Sequence, residues 1–97
     1  MSELLERTAV STHEVAVYLA FSANPDKWMS NKDVGEIVKG VKPRTVRAHT
    51  LKLVKLGLLD QAEVFPARRY RWSVMADKRN IGYARRLKQA AEVFGHE

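Results

Sequence analysis

The sequence predicts a mainly helical fold with one small β-hairpin and a long last helix, and three observations predict it. Serine-led acidic motifs precede helically spaced apolar residues, the period changes to two-fold beyond Gly57, and helical spacing returns after Ala76. With 97 residues, the whole chain 1–97 is expected to form one domain around one core.

The first ten residues fit a short helix and a frayed arm equally well. Ser11-Thr12-His13-Glu14 is then a capping box: the serine hydroxyl accepts from a first-turn amide, and the glutamate returns to the serine's own N–H. The helix it opens runs through Val15, Val17, Leu19 and Phe21. It stops before Asn24-Pro25-Asp26, because proline disfavours a helical residue ahead of it. Its β-branched residues also suit a strand, but the cap and the stop favour a buried helix. Apolar on nearly every side, it points to a second subunit against one face.

Ser30-Asn31-Lys32-Asp33 is a weaker start of the same kind, and the short helix after it places Val34, Ile37 and Val38 on one face. Gly40 supplies a left-handed stop. Pro43 then takes the first position of the next helix, where its missing N–H costs nothing. That helix, over 43–57, turns Val46, Leu53 and Leu56 inward and ends at Gly57. Ala62 and Val64 next alternate with Gln61 and Glu63. After a turn at Pro66-Ala67, Tyr70, Trp72 and Val74 alternate with Arg69, Arg71 and Ser73, which gives a hairpin with one buried face. Asp77 is expected to cap the last helix, 77–95, with Ile81, Ala84, Leu87, Ala91 and Phe94 on one stripe. The chain thus divides into a three-helix core over 12–57, a hairpin over 58–74 and a C-terminal helix.

Seventeen Lys and Arg against eleven Asp and Glu give a net charge of +6. Most of the excess lies in the middle: residues 30–59 hold seven basic and two acidic side chains. A localised basic surface is what a polyanion partner needs, because each cation that neutralises a phosphate releases condensed counterions. Two short helices joined by a glycine-containing turn, the second one basic, form a helix-turn-helix over 30–57. An α-helix fits the major groove of duplex DNA, and residues near its N-terminal end reach base edges.

With Val46 and Leu53 inward, Arg44, Thr45, Arg47 and Ala48 lie on the outward side, next to Lys42. The arginines suit bidentate contact to guanine, Thr45 a phosphate oxygen or a thymine methyl, and Ala48 a close approach of the backbone. His49 and Lys52 are expected at backbone phosphates. On the hairpin, Arg68, Arg69 and Arg71 suit the minor groove or flanking phosphates. Tyr70 and Trp72 are expected in the core rather than stacked on bases.

The stretch Ser30 to Leu59 resembles the winged helix-turn-helix of MarR- and ArsR-type transcription regulators. The residues that carry the resemblance are Val34, Ile37, Gly40-Val41, Thr45-Val46, Leu53 and Gly57-Leu58-Leu59. It spans residues 12–74 and implies that 43–57 reads the major groove while the hairpin is the wing. The chain departs from that pattern at Thr50, where the family has an apolar residue. A threonine there is expected to bond back to a carbonyl one turn earlier.

The sequence has no cysteine, and His13, His49 and His96 are scattered without partners at ligand spacing, so neither a metal nor a cofactor is expected. Phosphate-binding loops, nucleophile elbows and dinucleotide fingerprints do not occur, and a non-enzymatic role is expected. The chain shows neither a membrane-length apolar run nor a signal-peptide start, which favours the cytoplasm. The resulting expectation is a sequence-specific double-stranded DNA-binding transcription regulator. It would act as a homodimer through Ile81, Ala84, Leu87, Ala91 and Phe94, with the first helix as a second candidate interface. The alternatives are a winged-helix adaptor for an acidic protein, a DNA replication or partition protein, and an architectural DNA binder. RNA binding ranks below these.

Overall fold

The computed structural model describes residues 10–64 and 67–95. The opening nine residues, Pro66 of the predicted turn, His96 and the Phe94 side chain lie outside that description. Helices α1 (Thr12–Ser22), α2 (Asn31–Ile37) and α3 (Pro43–Lys55) lead into strands β1 (Leu59–Val64) and β2 (Ala67–Trp72). A one-turn helix α4 (Ala76–Arg79) and the final α5 (Ile81–Gly95) complete the chain. The strands pair antiparallel, from Leu59 opposite Trp72 to Val64 opposite Ala67. This is a winged helix-turn-helix, as the sequence predicts.

Helix α1 sits at the centre. It packs against α5, α3, α2 and β2, with Val15, Val17 and Phe21 fully buried and Tyr18 and Leu19 partly so. Neighbours from the same chain therefore cover much of this helix, while Ala16 and Leu19 still line an open groove shared with Ile37 and Val38. The same packing takes up part of the expected dimer stripe. Ala84 and Leu87 are buried in the core shared with α1. Ile81 stays 51% exposed, and Ala91 packs partly against that core.

The last helix is not one rod over 77–95. Asn80 breaks it: its backbone leaves the helical region (φ −154°, ψ 71°), and its Oδ1 accepts from the Tyr83 N–H at 3.3 Å, capping α5. Asp77 lies inside α4 instead. The segment before the break is also anchored to the wing. The Arg79 guanidinium lies 3.3 Å from Asp60, and its side-chain carbons stand about where a β-carbon on Gly57 would meet them, at 3.1–3.2 Å. Gly57 also holds φ +81°, a conformation that side chains disfavour. Residues 76–79 are thus tied to the foot of the wing before the chain turns into α5.

Two apolar alternations end early. Val34 and Val38 are buried, but Ile37 between them is exposed. In the wing, the strand stops at Trp72. Ser73 is buried, with its N–H bonded to the Leu58 carbonyl at 3.0 Å, and Val74 is 86% exposed. One pairing gave no sequence signal. Met29 and Tyr70 exchange two backbone hydrogen bonds of 2.8 Å, which ties the approach to α2 to the outer edge of β2.

Candidate nucleic-acid interface

Helix α3 buries Val46, Thr50 and Leu53 and exposes Arg44, Arg47 and Ala48, while Thr45 is half-buried. The Thr50 hydroxyl donates to the Val46 carbonyl at 2.9 Å, so the polar residue at this core position is satisfied without leaving the helix. At the N-terminal end Lys42 is exposed, no side chain caps the first turn, and that turn holds no acid. The positive end of the helix dipole is therefore not offset by a local carboxylate, which favours an anion there.

A cleft of 580 Å³ runs between α3, the start of α2 and the wing. Arg47 and Leu51 line it from α3, Ser30, Asn31 and Lys32 from α2, and Ala67, Arg68 and Tyr70 from β2. Three cations from three elements thus border one groove. Among the described residues, Asn31 Oδ1 is the buried side-chain polar atom with no hydrogen-bond partner. Leaving such a group unpaired costs about 1–3 kcal/mol. Sequence reading missed Asn31 and Lys32, although both follow within two residues of the serine that opens α2. What was lacking was the knowledge that the wing folds back over that end.

The expected contact residues separate into two sets. Lys42, at the cap of α3, and Arg44, Arg47 and Ala48 are exposed at its N-terminal half, with Thr45 half-buried beside them. Arg68 and Arg69 are exposed on the wing, where Arg68 lies 3.1 Å from Glu63 in an exposed pair; such pairs are weak and easily exchanged. The remaining three are engaged elsewhere. Arg71 lies 4.4 Å from the centroid of the Trp28 ring and 3.6 Å from Asp60, at the base of the wing. Lys52 and His49 turn toward Glu14 of α1, at 3.0 and 3.7 Å. Burial holds the His49 imidazole below the ordinary histidine range, although the Glu14 carboxylate pulls the other way.

Fold and surface together define the class: a winged helix-turn-helix whose second motif helix presents arginines outward. No family model and no curated relative matches the chain. Among solved structures, its fold is similar to one described as "Protein structure of type III plasmid segregation TubR mutant". That similarity covers 93% of this chain and 91% of that one, with a TM-score of 0.62 and 21% identity. It is also similar to the YusO protein from Bacillus subtilis, over 95% of this chain and 65% of that one, with a TM-score of 0.61 and 14% identity. At these identities the likeness is one of fold.

Proposed function

We propose that this chain is a sequence-specific double-stranded DNA-binding regulator, with a role in binding rather than catalysis. In this reading α3 lies in the major groove. Arg44 and Arg47 reach base edges, Thr45 and Ala48 lie against them, and Lys42 meets a phosphate. Arg68 and Arg69 hold the flanking backbone or minor groove, and one strand passes along the cleft where Lys32 and the Asn31 side-chain NH2 donate to its phosphates. The observation that carries this reading is the convergence of Arg47, Lys32 and Arg68 on one groove beside the outward face of α3. A homodimer on a two-fold site, with half-sites about one helical turn apart, completes the proposal. Among the described residues, Ile81 and Ala91 are the members of the predicted stripe left for its interface, and sedimentation measures the oligomeric state.

Selection from random duplexes by the purified chain tests the reading. A defined motif is expected. On it, Arg47→Ala should cost about 1–3 kcal/mol and relax preference at one position. An adaptor would show no salt-dependent binding of duplex at all, and an architectural binder would enrich no motif.

A second reading, DNA segregation, is favoured by the similarity to the TubR structure over nearly its full length. The two part in the cell: loss of the chain changes transcript levels under the first and the inheritance of a replicon under the second.

A further inference from the structure

Glu14 is the buried carboxylate among the described residues, and its side chain does not go where its capping motif would send it. Oε1 accepts from the Lys52 ammonium at 3.0 Å, the His49 Nδ1 stands 3.7 Å from the same oxygen, and the Tyr83 hydroxyl donates to Oε2. The Lys52 ammonium also lies 5.1 Å from the centroid of the Tyr83 ring. Side chains from α1, α3 and α5 therefore meet at one carboxylate. A buried charge must keep its partners, whereas Lys52, with 46% of its side chain exposed, has solvent within reach as an alternative.

We propose that Glu14 sets how many cations α3 presents to DNA. It holds Lys52, and with it His49, on the protein side of the helix, so that neither reaches a phosphate while the carboxylate is in place. The inference rests on the DNA-binding reading above. Its chemistry is competition between two anions, a fixed carboxylate and a diffusing phosphate, for one ammonium. The carboxylate has the advantage of being already positioned at hydrogen-bonding distance. The charged and titratable groups facing His49 are Glu14 and His13 from α1 and Lys52 from its own helix, with Tyr83 of α5 across the carboxylate.

The test is the salt dependence of binding to one duplex, measured for the wild-type chain, Lys52→Met, Glu14→Gln and the double variant, at a pH where imidazole is neutral. Each phosphate neutralised adds about 0.9 to the slope of log affinity against log salt. Lys52→Met should keep the wild-type slope. Glu14→Gln should steepen it by about 0.9 and bind more tightly at low salt, and the double variant should return to the wild-type slope.

An unchanged slope in Glu14→Gln overturns the inference, as does a flattening of about 0.9 in Lys52→Met alone. The second arm decides even where Glu14→Gln folds poorly. In the DNA-free protein, the His49 titration followed by NMR should move further down in Glu14→Gln, because the carboxylate no longer favours the imidazolium; an unmoved midpoint removes the contact. A wild-type chain that binds no duplex sinks the DNA reading and this inference together. An unaltered Glu14→Gln slope on a duplex the wild type does bind sinks this inference alone.

Discussion

At the start of α2, Ser30 and Asp33 satisfy one another. The Asp33 N–H donates to the serine hydroxyl at 3.2 Å, and the Ser30 N–H donates to the Asp33 carboxylate at 3.0 Å. At the start of α1, the motif of the same spacing makes only half of that exchange. The Glu14 N–H donates to the Ser11 hydroxyl at 3.2 Å, but the carboxylate crosses to Lys52 and Tyr83. Both motifs start a helix where they should. They differ in what surrounds the acid: Asp33 is partly exposed, with Ser30 as its hydrogen-bond partner, while Glu14 is buried where α3 and α5 bring stronger donors to it. The local rule decides the backbone, and the neighbours decide the side chain.

Substitutions can break or sharpen this contrast. The largest effect is expected from Glu14→Ala, which strands the Tyr83 hydroxyl and opens a hole among three helices. Urea denaturation should show a loss of about 3 kcal/mol, against about 1 kcal/mol or less for Asp33→Ala at the rim. Equal losses would mean that the shared carboxylate contributes nothing beyond a cap. Tyr83→Phe comes next, at about 1–2 kcal/mol, since it removes one donor from a buried charge. Ser30→Ala should cost about 1 kcal/mol and Ser11→Ala about half of that, because only the first dismantles a reciprocal pair. The reverse order would show that Glu14 does return to its own cap.

The smallest effects are in pH. The Asp33 carboxyl is held below its ordinary range, first by the hydrogen bond from the Ser30 backbone. Its contribution is therefore present above that range and disappears as pH falls through the lowered value; Asp33→Asn should remove that part of the acid profile. His49 is also lowered, chiefly by burial. The unfolded chain takes the proton first, so stability should decline as pH falls from the ordinary histidine range toward the lowered one. His49→Gln should flatten the profile in that window. A rise in stability on acidification would place His49 as a charged partner of Glu14 instead.

Much of the architecture was legible because its signals act over a few residues. Ser30 opens α2, Pro43 takes the first position of α3, and Gly40 and Gly57 hold φ +82° and +81°. Thr50 bonds to Val46 as its place in the helix requires. The outward placement of Arg44 and Arg47 followed from the spacing of Val46 and Leu53, since one helical period places both sets. The cleft was only half legible: Arg47 and Arg68 were in view, but Asn31 and Lys32 join them only because the Met29–Tyr70 pairing brings β2 alongside the start of α2.

Chain order alone was therefore enough for the helices, the hairpin and the arginine face of α3, since steric preference, capping and periodicity operate within a turn or a strand. Folding in three dimensions settled the rest. It broke the last helix at Asn80 in place of Asp77, buried Ala84 and Leu87 against α1, and paired Lys52 and His49 with Glu14 and Arg71 with Asp60 and Trp28. Those outcomes depend on which charge or apolar surface lies nearby in space, and a partner 38 or 69 residues away, as Lys52 and Tyr83 are from Glu14, leaves no periodic trace in the chain.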